Sequence, residues 1–322
     1  MICSASELGL GGDSAGIMEL DTDLVPGSAA DELYGFSDIV LDIEVTPNRP
    51  DWLSHVGVAR EVAAIYGTKV SMPPMWSFQP SSENLGFQVK IDDYESCPRY
   101  AAFGASDLKI GPSPEWMQNR LRALGSRPIN NLVDITNYVM FELGQPMHAF
   151  DRAKLSGETI TIKSSDAGTT VTTLDDQERK LEEGTLLVCD NSGPVALAGV
   201  MGLANSEVSD TTTEIILESA FFNPRLVRVA SRGLGLISES SYRFERGADW
   251  DMVEKAALRA LQLCHDLAGA HVLPAWADRQ DPDRRGHAAI PLRIWQVNRV
   301  LGTDITTDQA AQYLQALGLK VQ

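Results

Sequence analysis

The pattern of hydrophobic and polar positions changes its period along the chain, so the sequence predicts both helices and strands. Apolar residues recur at helical spacing, between capping residues and glycine stops, in several segments. The predicted helices cover residues 54–66, 114–125, 134–143, 249–267 and 309–317, with a further short helix that begins at Pro224. Short apolar runs predict strands over residues 39–45, 159–163, 169–173, 186–189, 195–198 and 214–217. Helices that bracket a group of strands indicate an α+β fold.

Two stretches rich in proline and polar residues divide the chain into three parts. We predict linkers over residues 71–84 and 275–289, because turn-forming and charged residues interrupt the periodic patterns there. The parts that they separate are the head (residues 1–70), the body (residues 85–274) and the tail (residues 290–322). Residues 1–38 have no periodic core of their own, and the helical stripe of the tail has little to pack against. We therefore expect the chain to be a fragment at both ends.

The chain is strongly acidic, but its charge is unevenly distributed. Its 322 residues carry a formal net charge of −17, which argues against a non-specific coat for nucleic acid. Residues 225–246 reverse the sign locally, because arginines outnumber glutamates there. These arginines are Arg225, Arg228, Arg232, Arg243 and Arg246. The first three share one face of the predicted helix, and an ordinary solvated face and a phosphate-binding site remain equally open for them.

Several classes of protein are disfavoured by what the sequence lacks. No run of about 18 apolar residues is present, and the N-terminal residues do not resemble a signal peptide, so we expect no membrane association. The four scattered cysteines argue against a disulfide framework or a zinc site, and for a reducing cytoplasm. Ser14 lies in a G-x-S-x-G pattern without the flanking strand and helix that a nucleophile needs, so we interpret it as part of a turn. The five histidines form no metal-binding motif, and we expect no metal in this chain.

A few polar residues of the body have the chemistry of a site, although each also has a plain structural explanation. His148 follows Pro146 in a predicted loop, where an imidazole could orient or deprotonate a water or simply hydrogen-bond the backbone. Glu218 lies at the end of an apolar predicted strand, where a carboxylate needs an arginine or a ligand hydroxyl as its partner. Thr136 and Asn137 lie on a predicted helix and could either cap it or contact a ligand.

Three stretches of the body carry a specific resemblance. They read RPINNLVDITNYVMFELGQPMHAFD at residues 127–151, ALAGVMG at residues 196–202 with ILESAFFNP at residues 216–224, and SYRFERG at residues 241–247. With VLDIEVTPNRPD in the head and NRVLGTD in the tail, the chain resembles the β subunit of bacterial phenylalanyl-tRNA synthetase over its whole length. Gly199 and Gly202 in the second stretch could let backbone amides approach a ligand closely, or could simply form a turn.

The resemblance implies a fold and a function for each part of the chain. Residues 85–274 correspond to the family's B3/B4-type editing domain, which hydrolyses tyrosine wrongly esterified to phenylalanine tRNA. Residues 1–38 resemble the end of an OB-type tRNA-binding domain, residues 39–70 a return segment of the first domain, and residues 290–322 the start of a helical, DNA-binding-like B5-type domain. The implied parent is a class II ligase of the α2β2 type in the cytoplasm, whose α subunit carries out aminoacylation with ATP and Mg²⁺. No cofactor is implied for this fragment.

The resemblance also implies roles for particular residues. The positions that line the editing pocket of the family are matched by Thr136, Asn137, His148, Gly199, Gly202 and Glu218, with Ser240 at its entrance. His148, Asn137 and Glu218 are the expected catalytic residues, and the five arginines of residues 225–246 are expected to bind tRNA. A pocket that hydrogen-bonds the tyrosine hydroxyl rejects phenylalanine by about 10⁴–10⁵-fold, because its polar group would be left unpaired. Glu218 is the candidate for that group.

Two positions depart from the family's usual sequence. Leu203 replaces a second glycine, and leucine would cost on the order of 1 kcal/mol if this position required a positive φ. Ser240 stands where the family usually has alanine. Neither change removes a candidate polar group, so we expect editing activity, weakened at most. The alternative is a non-catalytic scaffold that docks tRNA and whose editing site is silent.

Overall fold

The computed structural model describes residues 4, 16–17, 22–29, 39–77, 86–284, 286 and 289–322. The chain divides into two compact units, residues 1–42 and residues 43–322, and all the helices and strands described below belong to the second unit. The predicted turn at Ser14, most of the segment 1–38 and residues 78–84 of the first predicted linker lie outside the described residues.

A four-stranded antiparallel sheet runs through the body. Its strands are β2 (Arg99–Ser106), β3 (Met147–Asp151), β10 (Ile215–Phe221) and β11 (His271–Gln280), in the order β11-β2-β10-β3. β10 pairs with β2 on one side and with β3 on the other, so Glu218 lies opposite both Ala102 and His148. Because directly opposite residues of antiparallel strands point to the same face, the side chains of His148 and Glu218 are neighbours.

A five-stranded sheet covers one face of the first sheet. It is formed by β1 (Gln88–Ile91), β4 (Thr159–Ser164), β7 (Leu186–Cys189), β8 (Pro194–Leu197) and β9 (Met201–Gly202), in the order β1-β4-β7-β8-β9. β1 and β4 are parallel, whereas the remaining pairs are antiparallel. A separate short pair consists of β5 (Thr170–Thr172) and β6 (Glu178–Lys180).

Helices surround the two sheets and extend into the head and the tail. They are α1 (His55–Tyr66), α2 (Glu115–Ala123), α3 (Asn131–Leu143), α4 (Pro224–Gly233), α5 (Glu239–Phe244), α6 (Met252–Ala268), α7 (Ile294–Leu301) and α8 (Thr307–Ala316). Local sequence sets the ends of α1: the Ser54 hydroxyl accepts a hydrogen bond from the N–H of Gly57, and Gly67 ends the helix at a φ of 64°. Short 3-10 helices cover Pro50–Trp52, Arg152–Lys154 and Ala204–Ser206.

The side chains of β10 alternate between two hydrophobic cores. Ile216 and Ala220 point into the core between the sheets, whereas Ile215 and Leu217 point into a core formed with α2, α3 and α6. This alternation places Glu218 on the inter-sheet face. Since both faces of β10 are buried, a carboxyl group within this strand is an exception that calls for a partner.

The structure confirms the α+β fold and most of the predicted elements. All five strands predicted in the body are present, with ends that differ by a few residues. α3 begins at Asn131 rather than at residue 134, because the side-chain oxygen of Asn130 accepts a hydrogen bond from the N–H of Val133 and caps the helix earlier. α6 begins at Met252 rather than at residue 249.

The structure contradicts two predictions from the sequence, one of a strand and one of a linker. Residues 39–45 form no strand, and the side chains of Ile39, Val40 and Leu41 are exposed. Residues 275–280 of the second predicted linker instead complete β11, which pairs with β2. The prolines misled the prediction, because Pro274 lies in an irregular section where the pairing register shifts and where proline is tolerated.

Candidate functional site

An open cavity lies between the two sheets, and we name it the inter-sheet cavity. Its walls come from β3, β10, the turn between β8 and β9, and α5. It has a volume of about 100 Å³ and is lined by Pro146, Met147, His148, Ala196, Leu197, Gly199, Val200, Met201, Gly202, Glu218, Ser240 and Phe244. Of the candidate site residues, the structure therefore brings together His148, Gly199, Gly202, Glu218 and Ser240.

Glu218 places a buried carboxyl group in the wall of this cavity. It lies in the middle of β10, not at its end, and only 6% of the residue is exposed. Its Oε2 accepts a hydrogen bond of 2.7 Å from the hydroxyl of Tyr100. Burial raises the pKa of Glu218 to about 7, although the hydrogen bond from Tyr100 opposes that rise. Near neutral pH the group is therefore divided between carboxylic acid and carboxylate.

As a purely structural residue, Glu218 is predicted from the sequence to form a salt bridge, but the structure gives it a different partner. In the part of the chain that the structure describes, no lysine, arginine or histidine forms an ion pair with Glu218. The phenol of Tyr100 takes that place from the neighbouring strand β2. The hydrogen bond occupies Oε2, and no described residue donates to Oε1. One acceptor of the carboxyl group thus stays available to a ligand in the cavity.

His148 lies on β3, not in a loop as the sequence suggested, and its imidazole is neutral. Its ring packs edge-on against Phe150, with 4.6 Å between the ring centroids. Burial lowers the pKa of His148 to about 4, so the ring carries no charge at neutral pH. Its Nε2 is buried and has no hydrogen-bond partner among the residues that the structure describes. Because buried polar atoms are nearly always paired, this nitrogen marks a place for a water or a ligand group.

Close contacts require glycine at two positions, Gly199 in the β8–β9 turn and Gly202 at the end of β9. Gly199 has a φ of +70°, and a Cβ there would lie 3.0–3.1 Å from side-chain carbons of Val227, Phe222 and Phe244. A Cβ at Gly202 would lie 2.7 Å from Nε2 of His148. Gly199 lines the cavity, and its N–H makes no hydrogen bond within the described residues.

The two departures from the family's sequence have different consequences. Leu203 has a φ of −105°, so the strain that a positive φ would impose does not arise. Its side chain is buried in the hydrophobic core and does not line the cavity. Ser240, in contrast, does line the cavity from α5 and adds a hydroxyl group there.

Thr136 and Asn137 are not part of the cavity wall. Both lie on α3, and the hydroxyl of Thr136 donates to the carbonyl oxygen of Val133 within the same helix, at 2.8 Å. The roles implied for these two residues stay predictions, because the structure does not bring their side chains into the lining of the inter-sheet cavity.

The five candidate arginines are in two different situations. Arg225 and Arg228 are exposed on α4, and the side chain of Arg232 is 56% exposed with its Nη2 3.6 Å from Glu245. These three cations form what we call the α4 arginine face. It is accessible to an anionic partner.

Arg243 is buried, which contradicts a role in tRNA binding. Its guanidinium donates to the carbonyl oxygen of Leu53 at 3.1 Å and to both the backbone and the carboxylate of Glu239. It therefore connects α5 to the segment that precedes α1. Arg246 is partly covered as well, since it lies over the ring of Tyr242 and forms an ion pair of 2.7 Å with Glu245.

Sequence reasoning missed Tyr100 altogether. The run RYAAFGAS at residues 99–106 is β2, but small and aromatic residues without a polar contrast give no period to recognise. Because β2 is buried on both faces, its tyrosine indicates a polar partner in the core, since a buried hydroxyl group needs a hydrogen-bond partner.

The structure adds two findings on metals and membranes. Across the described ranges, no group of three or more His, Cys, Asp or Glu side chains is placed to hold a metal ion. Within the same ranges, none of the helices has both the length and the apolar character needed to span a bilayer.

The chain is similar in sequence to several known proteins. Residues 96–269, more than half of the chain, match the model of the B3/4 domain family. Over its whole length the chain is 44% identical to the phenylalanine–tRNA ligase β subunits of Salinibacter ruber and Syntrophotalea carbinolica, and 46% identical to that of Geobacter metallireducens. It spans about two fifths of the length of these relatives (39%, 40% and 40%).

One solved structure is also similar, an N-terminal fragment of the phenylalanyl-tRNA synthetase β subunit from Pyrococcus horikoshii. The TM-score is 0.39 at 12% identity, with 84% of this chain and 74% of that chain covered. The sequence comparisons, in contrast, confirm the resemblance on which the implied roles rest.

Proposed function

The chain belongs to the B3/4 domain family, and from this premise we propose that it is part of the β subunit of a phenylalanine–tRNA ligase acting in protein biosynthesis. We further propose that the inter-sheet cavity hydrolyses tyrosine esterified to phenylalanine tRNA. The proposal rests on one observation above all. A neutral imidazole with an unpaired nitrogen and a buried carboxyl group with a free oxygen lie side by side on β3 and β10 and face one cavity.

Recognition of tyrosine is assigned to Glu218. Its Oε1 accepts a hydrogen bond from the phenol hydroxyl of the ligand, and a carboxylate makes this bond stronger than a neutral acceptor does. A phenylalanine ester leaves Oε1 unpaired and loses the corresponding free energy. The site thus uses a polar contact to separate two amino acids that an apolar pocket separates only weakly.

Hydrolysis is assigned to a water molecule held by His148. Neutral Nε2 accepts a hydrogen bond from the water, whose oxygen adds to the ester carbonyl carbon. Nε2 takes the proton that the water loses as it adds. The bond to the ribose oxygen then breaks, and that oxygen leaves as a hydroxyl with this proton, which releases free tyrosine. The free N–H of Gly199 is the candidate donor to the oxyanion, whereas the N–H of Val200 already donates to the carbonyl oxygen of Leu197 at 3.0 Å. No serine or cysteine nucleophile is required.

The partners proposed for this chain follow from the same premise. The α4 arginine face is the candidate contact for the tRNA backbone, with a weak and strongly salt-dependent affinity. Aminoacylation with ATP and Mg²⁺ is assigned to an α subunit, in an α2β2 assembly in the cytoplasm.

The test is deacylation of phenylalanine tRNA charged with either tyrosine or phenylalanine, at low salt and high concentration of the full 322-residue chain. We expect faster loss of tyrosine than of phenylalanine. His148→Ala should slow tyrosine loss by about 10²-fold, the usual scale for general acid–base groups. Glu218→Ala should remove the preference for tyrosine. His271→Ala and Glu178→Ala are matched controls, because both residues are exposed and lie outside the cavity lining.

Two results would contradict the proposal. Binding of the tRNA without hydrolysis of either ester would show that the chain is a scaffold with a silent site. A Glu218→Ala protein that still prefers tyrosine would show that another group reads the hydroxyl.

A further inference from the structure

We propose that Tyr100 is a positioning residue for tyrosine selectivity: its hydroxyl holds Oε2 of Glu218 so that Oε1 faces the cavity and accepts the ligand hydroxyl. This inference rests on the proposed editing function. Tyr100 itself touches no ligand, since it is fully buried and does not line the inter-sheet cavity. It acts only through Glu218.

The two strands bring the phenol and the carboxyl group together. Glu218 lies opposite Ala102 and Ala220 lies opposite Tyr100, so Tyr100 and Glu218 are diagonal neighbours across the β2–β10 pair, within reach of long side chains. Alanine at both opposite positions leaves room for the two large side chains. The resulting O–H···O distance of 2.7 Å is that of a well-formed hydrogen bond.

The ring of Tyr100 is itself held in place by aromatic contacts. It lies tilted against Phe222, with 6.4 Å between the centroids, and Phe222 contacts Phe244 edge-on at 5.2 Å. Phe244 is part of the cavity wall. Packing against these rings therefore fixes the position of the phenol, and the hydrogen bond from the phenol fixes the orientation of the Glu218 carboxyl group.

A phenol suits this role better than an arginine does. An arginine fork takes both oxygens of a carboxylate, whereas one phenol hydroxyl takes a single oxygen and leaves the other free. Among the described residues, two further titratable groups near Glu218 are Cys97, which precedes β2, and His148 on β3. Burial raises the pKa of both Tyr100 and Cys97, so these neighbours are uncharged at neutral pH.

The cavity walls outside β3 and β10 bring no further charge to Glu218. They come from the β8–β9 turn and α5, and their described lining residues are apolar or, at Ser240, a hydroxyl. Loss of the Tyr100 hydroxyl therefore removes a hydrogen bond that favours the ionised form of Glu218. The carboxyl group then becomes protonated at higher pH than before and loses its fixed orientation.

The test compares Tyr100→Phe with Tyr138→Phe in the full chain. Tyr138→Phe is the matched control, because its hydroxyl also makes one hydrogen bond, from Arg120 at 2.9 Å, but on the exterior. We expect Tyr100→Phe to reduce the ratio of tyrosine to phenylalanine deacylation by about tenfold at pH 7, the scale of one hydrogen bond to a charged group. The pH at which the ratio reaches half its maximum should move upward. Tyr138→Phe should change neither quantity, and circular dichroism checks that both variants are folded.

A double variant separates positioning from a general structural effect. If Tyr100 acts through Glu218, then Tyr100→Phe should not lower the selectivity of a Glu218→Gln protein any further. An additional loss of the same size in both backgrounds would overturn the proposal, because Tyr100 would then act independently of Glu218.

A measurement that does not depend on catalysis distinguishes a failure of this inference from a failure of the proposed function. Carboxyl ¹³C NMR of the ligand-free chain gives the pKa of Glu218, with Glu218→Gln identifying its signal. Tyr100→Phe should raise that pKa, and Tyr138→Phe should leave it unchanged. If neither ester is hydrolysed by the wild-type chain, the proposed function fails. An unchanged pKa of Glu218 in Tyr100→Phe overturns the positioning role, whatever the activity.

Discussion

Gly202 provides a direct test of how the inter-sheet cavity is built. A methyl group at this position would lie 2.7 Å from Nε2 of His148 and 3.1 Å from Cδ1 of Leu174. Gly202 does not have a positive φ, so its backbone accommodates alanine without strain. The effect of Gly202→Ala therefore comes from the two side chains that must move, and above all from the imidazole.

The expected magnitudes follow from these distances. Ordinary contact requires the imidazole to move by about 1 Å, and a displacement of that size at a reacting group costs about 10²-fold in rate. Overpacking of a well-packed region costs about 1–3 kcal/mol of unfolding free energy. For a body of this size, that corresponds to a fall of about 2–12 °C in the melting temperature.

The assay combines thermal unfolding with deacylation of tyrosine from phenylalanine tRNA. Gly233→Ala is the matched control, because a Cβ there would have no atom within 4 Å and the residue lies in the last turn of α4. Its melting temperature and its rate should stay close to those of the wild type. A Gly202→Ala protein with wild-type stability and wild-type rate would refute the packing argument.

Three further predictions concern stability and binding. The pKa of Glu218 rises from 4.5 to about 7 on folding, so its ionisation should lower the unfolding free energy by up to roughly 3 kcal/mol as pH rises from about 4.5 to 7. In urea unfolding, Glu218→Gln should lack this decrease with pH. An equal decrease in both proteins would contradict the burial argument. The pKa of His148 falls from 6.5 to about 4, so the fold should lose a similar amount as pH decreases from about 6.5 to 4, and His148→Gln should lose less in the same titration. Arg243→Met should lower the unfolding free energy by about 1–3 kcal/mol, because the carbonyl oxygen of Leu53 loses its hydrogen-bond donor. Arg228→Met should instead weaken tRNA binding in filter assays without a change in stability. The reverse outcome would exchange the roles of the two arginines.

Much of the fold could be predicted from the sequence, because capping residues and short apolar runs act locally. Ser54 and Gly67 mark the ends of α1 in the sequence as they do in the structure. The runs at residues 159–163 and 186–189 were recognised as strands for the same reason. Strands such as β2 and β11 depend on pairing with segments far along the chain, and their own residues show no period of two.

The candidate site could be predicted only as a set of residues, not as an arrangement. The motifs pointed to His148, Glu218 and the two glycines, and the structure places these four around one cavity. The partner of Glu218 could not be predicted, since the register that brings Tyr100 to it is set by long-range strand pairing. Arg243 was misjudged for a related reason, because a local excess of arginines does not show which of them is buried.

We propose that the inter-sheet cavity binds a tyrosine ester with its hydroxyl on Glu218 and its carbonyl beside His148. The most direct measurement is a crystal structure of the chain with a non-hydrolysable adenosine analogue that carries tyrosine through an amide bond. We expect a phenol oxygen about 2.5–3.0 Å from Oε1 of Glu218, with the hydrogen bond from Tyr100 to Oε2 intact. An analogue bound outside the inter-sheet cavity, or inside it with the phenol turned away from Glu218, would contradict it.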